Sequence, residues 1–248
     1  MGSDQHGGVH RHCEVDGLRR RYYVQVPAHT ATDAALPLPL IVAFHGSGDH
    51  GESFINLVTQ LYRADAVVVA PDGYRNVWAP AGYAHTTIEQ DSAFIRAMVR
   101  QACESYPVDL KRIYLVGFSN GGGIAIYSAF HIFGAGEIPP AAGLFTVGGS
   151  ARRVALAGPL NYPVPYTNIH GVTDSVVPYG GGEYVPGDMV VAVDEVVDIF
   201  RQRNGNDAPV DHMQVPGLGH YWPLGGQGEA CDATSVLLDF FGIDQRCR

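Results

Sequence analysis

Three short segments carry side chains whose types suit nucleophilic catalysis: Gly117-Phe118-Ser119-Asn120-Gly121, His170-Gly171-Val172-Thr173-Asp174 and Gly219-His220-Tyr221-Trp222-Pro223. A serine hydroxyl attacks poorly until a neighbouring base takes its proton, and that base works best when a third group orients it. Ser119 lies between glycines two residues away on each side, after an apolar run at 112–118 and before an apolar stretch that begins at Ile124. Strand, sharp turn and helix in that order form the Gly-x-Ser-x-Gly elbow, which holds the serine Oγ exposed on a strained turn that tolerates only small neighbours. The N–H groups opening the helix then face charge that develops on a substrate oxygen.

Four histidines follow Ser119 in the chain: His131, His170, His212 and His220. His131 falls on the helix after the elbow. His170 precedes every acid that follows a later strand, and His212 lies inside the last expected strand, so neither can swing over the sheet edge. His220 follows that strand in a loop rich in glycine and proline, and it is the expected general base. The expected acid is Asp174, which follows a strand by a short turn and would hold the imidazole in its productive tautomer. Asp188, Asp194, Glu195 and Asp198 are rivals by position, but they fall on an expected helix whose charges suit a solvated face.

An oxyanion hole needs two N–H donors, one after the nucleophile and one from the loop after the third strand. The expected donors are the main-chain amides of Asn120 and Ser47. His45 is expected beneath that loop as a structural side chain, Trp78 and Trp222 as candidate walls of an acyl pocket, and Arg152 and Arg153 as a surface pair.

The elements that must position these groups follow from hydrophobic periodicity and turn residues. A hairpin is expected at 12–15 and 18–26 around Asp16-Gly17, and a continuous apolar strand at 38–44. Helices at 52–63 and 91–105 alternate with strands at 66–70 and 112–118. After the elbow helix come strands at 142–147 and 166–170, a helix at 188–204, a strand at 210–215 and a helix at 233–241. A hairpin followed by alternating β and α elements predicts a mostly parallel eight-stranded sheet with helices on both faces, the α/β-hydrolase fold. The connection at 148–165 is too short for a separate cap domain. The whole of 1–248 is expected to form one domain, with 1–12 as a tail.

Composition narrows the partners. The chain has 248 residues and a formal net charge of −9, from 16 Lys and Arg against 25 Asp and Glu, so neither nucleic acid nor an anionic membrane is an expected partner. No apolar run is long enough to span a bilayer. The start lacks the hydrophobic core of a signal peptide, which implies a cytoplasmic protein if Met1 is the native start and a secreted one if a signal has been removed. Cys103 is expected as a buried thiol, whereas Cys13, Cys231 and Cys247 lie near the ends and leave a terminal disulfide open. His6, His10 and His12 match no metal-binding spacing and belong to the polar tail. A competing motif is Gly46-x-Gly48-x-x-Gly51 after a strand, with Asp72 at the distance of a ribose-binding carboxylate, which would suit a dinucleotide-binding oxidoreductase. A hairpin precedes it, however, and it leaves Ser119, Asp174 and His220 without a role.

Across nearly its whole length the chain resembles the esterase group that contains polyhydroxybutyrate depolymerase-like proteins and bacterial feruloyl esterases. The matching pieces are Val15-Asp16-Gly17-Leu18 with the segment 22–27, His45-Gly46, Ala70-Pro71-Asp72-Gly73, Asp91, the segment 117–122, His170 to Asp174 with Val177-Pro178-Tyr179-Gly180, and Gly219 to Pro223. The resemblance implies a serine esterase with Ser119, Asp174 and His220 as triad, acting on feruloyl or hydroxyalkanoate-type esters without a metal or organic cofactor. Acyl transfer on the same triad is the alternative. Two positions depart from the group: Ser47 stands where a cysteine often follows His-Gly, and Leu224 where a glycine often follows Trp-Pro. Both border the expected pocket.

Overall fold

The computed structural model describes residues 7–27, 36–226 and 229–245. Its main sheet has eight strands in the order β1-β2-β4-β3-β5-β6-β7-β10, where β1 is Val9–Val15, β2 Leu18–Gln25, β3 Leu38–Phe44, β4 Val67–Pro71, β5 Val108–Phe118, β6 Gly143–Val147, β7 Tyr166–Gly171 and β10 Val210–Val215. The β1–β2 and β2–β4 pairings are antiparallel and all later ones parallel. A separate two-stranded hairpin, β8 Gly182–Val185 and β9 Asp188–Val190, follows β7. The helices are α1 Gly51–Ser53, α2 Ile88–Ser105, α3 Asn120–His131, α4 Val193–Asn204 and α5 Ala233–Phe241.

Alternation of side chains along the central strands divides the core into two layers. Leu40, Val42 and Phe44 of β3, Val67 and Val69 of β4, and Ile113 and Leu115 of β5 face α2, α3 and α4. Ile41, Ala43, Val68, Ala70, Tyr114 and Val116 face the opposite layer, which holds Phe54, Ile55 and the apolar side of α5. Both faces of the sheet are therefore dry, which is why its central strands are apolar throughout rather than alternating.

Several boundaries differ from the sequence expectation. The first strand begins at Val9, because Val9 to His12 pair in register with Val24 to Arg21, so part of the expected tail belongs to the sheet. The expected helix at 52–63 is broken into α1, a π turn at Phe54–Val58 and a 3-10 turn at Leu61–Arg63. Thr59 causes part of this, its amide and hydroxyl both donating to Phe54 O, and Gln60 then takes a left-handed conformation. The expected helix at 188–204 starts only at Val193, because Gly187, at a φ of 83°, turns the preceding segment back as the β8–β9 hairpin. Cys103 is half-buried rather than buried, and Cys13, Cys103 and Cys231 are free thiols. Cys247 and His6 lie outside the described residues. His10 pairs with Glu52 at 3.0 Å, and no described helix is long and apolar enough to cross a membrane.

One buried ion pair fixes the loop between β4 and α2. Arg20 Nη1 donates to Asp91 Oδ1 at 2.9 Å, with both side chains shielded from solvent. The other carboxylate oxygen accepts from Ala79 N and from Thr86 Oγ1, at 2.9 and 3.0 Å, and the guanidinium sits 4.2 Å from the Phe94 ring centroid. Asp91→Ala would strand a buried guanidinium, which typically costs about 3–5 kcal/mol. The expected result is a lower urea midpoint at unchanged slope, and a midpoint equal to that of the parent chain would contradict this account of the loop.

Candidate active site

The site forms where β3, β5, β6 and β7 end. Ser119 caps the start of α3 with φ 54° and ψ −122°, a region strained for any residue with a side chain. Its neighbours explain how the turn fits. A Cβ on Gly117 would lie 2.3 Å from Gly121 O, one on Gly121 2.1 Å from Phe44 O, and one on Gly122 2.6 Å from Gly149 Cα. Main chain thus touches main chain at each position, and only glycine permits it. The Ser119 carbonyl accepts from the amides of Gly122, Gly123 and Ser150, at 2.9, 3.3 and 3.0 Å.

His220 reaches this elbow from the loop after β10. Its Nε2 lies 2.8 Å from Ser119 Oγ and its Nδ1 2.7 Å from Asp174 Oδ2. A carboxylate only accepts, so Nδ1 carries the proton and Nε2 is free to accept from the serine hydroxyl. Burial, the largest influence on Asp174, works to raise its pKa. The bond from His220 and the amides of Val177 and Val176, at 2.9 and 2.8 Å, outweigh it and hold the carboxyl below its usual range. The Phe118 ring stacks on the His220 imidazole, with centroids 4.9 Å apart and planes inclined by 28°. A hydroxyl bonded to an imidazole that a carboxylate orients is arranged to lose its proton as it attacks an electrophile.

The loop after β3 lies against the same serine, since a Cβ on Gly46 would be 3.4 Å from Ser119 Cβ. Ser47, the expected donor on this loop, is exposed. His45 is fully buried beneath the loop, donating from Nδ1 to Gly46 O at 2.7 Å and accepting at Nε2 from Gly73 N at 2.9 Å. The Asn120 side chain clasps the Trp78 main chain in both directions, accepting from its N–H at 2.7 Å and donating to its carbonyl at 3.1 Å.

Both tryptophans depart from the expectation that they wall an acyl pocket. Trp78 is wholly buried and donates from Nε1 to His45 O at 3.1 Å, which ties the β3 loop to the elbow through Asn120. Trp222 is 5% exposed, donates to Thr234 Oγ1 and packs against Phe54, Phe118 and Phe145. Both rings are buried and held by protein contacts. The dinucleotide motif fares no better. Gly51 opens a helix of three residues, too short for a useful dipole, and Asp72 is occupied by Gly51 N at 2.8 Å and by Arg21.

Three arrangements escaped the sequence reading. His170 is buried beside the site with Nε2 3.6 Å from Asp174 Oδ2, and it donates to Val177 O. Arg152, expected at the surface, is buried and pairs with Asp188, whereas Arg153 is exposed and pairs with Glu195. Asp188 lies on β9 rather than on a helix. The Pro186-Gly187 turn was the available signal for that strand. Among the described residues no three His, Cys, Asp or Glu side chains could hold a metal ion. A cavity of about 360 Å³ opens between Val99, Cys103, Leu110 and Ile138 near the start of β5, the opposite end of the strand from Ser119.

The chain aligns over 95% of its length, and over 91% of the other chain, with a thermophilic esterase of Thermogutta terrifontis, at a TM-score of 0.64 and 18% identity. The chain has the α/β-hydrolase fold. Residues 78–187, which include Ser119 and Asp174, match the phospholipase/carboxylesterase family model. Feruloyl esterase C of Emericella nidulans is 30% identical over 171 residues, which is 66% of this chain and 58% of that protein. Feruloyl esterase B of Piromyces equi is also 30% identical, over 66% of this chain but 31% of its own length. The chain thus spans 58% and 31% of the length of these two relatives.

Burial lowers the pKa of both His45 and His170, so each is held neutral in the fold. A histidine whose folded pKa lies below its unfolded value of about 6.5 contributes stability above that value and loses it as pH falls toward the folded pKa. Asp174, also depressed, adds a further loss below its unfolded pKa of about 3.9. The melting temperature should therefore fall progressively from about pH 6.5 downward, and a flat record from neutral to mildly acidic buffer would contradict the neutral assignment.

Proposed function

We propose that the chain is a serine carboxylic ester hydrolase acting on hydroxycinnamate-type esters, with Ser119 as nucleophile, His220 as general base and acid, and Asp174 as its orienting carboxylate. The observation that carries this reading is the continuous chain of bonds from Ser119 Oγ through His220 to Asp174, at 2.8 and 2.7 Å. Ser119 Oγ attacks the acyl carbon as its proton passes to His220 Nε2. The imidazolium so formed faces a carboxylate already stabilised in its charged state, so the transfer needs little reorganisation. The tetrahedral oxyanion is held by the main-chain amides of Asn120 and Ser47. Collapse returns the proton from His220 to the departing alcohol and leaves an acyl-serine. Water, deprotonated by the same imidazole, then releases the acid and restores the hydroxyl.

The acyl class rests on the two feruloyl esterase relatives. A site bordered by loops and a short hairpin, with no inserted domain between β6 and β7, also suits an acyl group attached to a bulky alcohol.

Ser119→Ala should abolish ester turnover and labelling by an organophosphonate while leaving the melting curve in place. Persistent labelling would put the nucleophile elsewhere. A panel of acetyl, long-chain acyl, feruloyl and hydroxybutyrate esters should give its highest kcat/KM on the feruloyl member, and preference for another member would reassign the acyl class. Faster transfer to added sugars or alcohols than to water would replace the hydrolase with an acyltransferase.

A further inference from the structure

Arg152 is an unexpected residue to find buried beside a nucleophile. Its Nε donates to Asp188 Oδ1 at 3.0 Å and its Nη2 to Oδ2, and both side chains are about 95% shielded, at 6% and 5% exposure. The remaining nitrogen, Nη1, donates to both the carbonyl and the hydroxyl of Ser150 at 2.7 Å. Ser150 in turn donates from its amide and its hydroxyl to Ser119 O, at 3.0 and 3.2 Å. A continuous polar path therefore runs from Asp188 on the hairpin to the main chain of the nucleophile. The hairpin is tied down a second time where Val191 N donates to Ala151 O at 2.8 Å.

The same guanidinium organises two aromatic rings. Its carbon lies 5.7 Å from the Tyr83 ring centroid and 6.0 Å from that of Tyr184, and the rings are 5.7 Å apart at 45°. Tyr83 belongs to the loop after β4 and Tyr184 to the hairpin after β7. In the sheet order β4-β3-β5-β6-β7 these strands lie on opposite sides of β5, whose end carries Ser119. The two loops thus meet across the carboxyl edge beside the nucleophile. Both rings are half-buried, so they keep surface to offer, unlike Trp78 and Trp222. The loop bearing Tyr83 is pinned at its other end by Asp91. Buried ion pairs add little net stability over apolar packing, so one spanning two loops is better explained by the geometry it enforces.

We propose that Tyr83 and Tyr184 form an aromatic subsite for the planar acyl group, and that Arg152 and Asp188 are positioning residues that hold its two halves together and in register with Ser119. The subsite supplies ring faces and edges, which favour a conjugated aryl acyl group over a short aliphatic one. This deepens the proposed ester-hydrolase reading and rests on it for the choice of acyl group. Ligand binding reads the subsite without requiring turnover.

The test is the affinity of the full chain carrying Ser119→Ala for methyl ferulate, measured by calorimetry. Tyr83→Ala and Tyr184→Ala should each weaken binding by about tenfold, whereas Tyr184→Phe, which keeps the ring, should stay within about twofold of the parent. Asp188→Asn, which keeps the shape but removes the charge, should weaken binding in the same direction. Where Asp188→Asn does not fold, the double change Arg152→Met with Asp188→Leu replaces the pair by apolar packing and should show the same loss. In chains retaining Ser119, the ratio of kcat/KM on feruloyl over acetyl esters should fall by about tenfold in both tyrosine variants. Unchanged affinity in either Tyr→Ala variant, or no binding by the parent, overturns the subsite. Loss in the tyrosine variants with full affinity in the charge-neutral variants overturns the positioning role. Absence of turnover on every ester, with ferulate binding intact and lost on Tyr→Ala, would instead overturn the hydrolase reading and leave the subsite standing.

Discussion

Everything at the carboxyl edge depends on three stretches of main chain approaching one another without side chains between them. The end of β3, the loop after β6 and the elbow that runs from the end of β5 into α3 meet at Gly117, Gly121 and Gly122, where a methyl group would fall inside a neighbouring backbone. That proximity forces Ser119 into a conformation that costs on the order of 1–3 kcal/mol, offset by the saturation of its carbonyl with amide donors. It also presents the hydroxyl at the tip of the turn with the opening amides of a helix behind it. His220 reaches that hydroxyl from the loop after β10, and Asp174 reaches His220 from the loop after β7, at 2.8 and 2.7 Å.

Charge is used sparingly in this interior, and always between segments distant in sequence. Arg20 and Asp91 join β2 to the start of α2, and Arg152 and Asp188 join the loop after β6 to β9. Each pair accepts or donates further bonds to main chain, so neither pair leaves its charges without compensation. Apolar side chains fill the two layers around the sheet, and the ion pairs specify how the loops above it are arranged.

The sheet and the three polar groups around Ser119 were legible because their signals are local. Apolar runs mark the central strands, glycines bracket the serine, and the order serine, aspartate, histidine follows the order of the strands that end beside it. The π turn at Phe54–Val58 was not legible, since it arises from a Thr59 side chain competing for a carbonyl. The hairpin Gly182–Val190 was obscured for a different reason: Asp188, Asp194, Glu195 and Asp198 together resemble the polar face of one long helix, although the first of them points inward to an arginine 36 residues earlier. The burial of Trp78 and Trp222 was not legible, because an indole beside a loop and an indole beneath one have the same sequence signature. Only tertiary contacts distinguish them.

The strand that delivers His220 is the outermost of the sheet, bonded along one side to β7 and along the other to nothing in the sheet. The imidazole thus hangs from the margin of the structure, whereas the serine it serves is anchored in the middle, 101 positions away in the chain. Margins open before centres in a cooperative fold. Opening of this edge strand would break the bond from His220 to Ser119 while leaving the two buried layers around the sheet in contact.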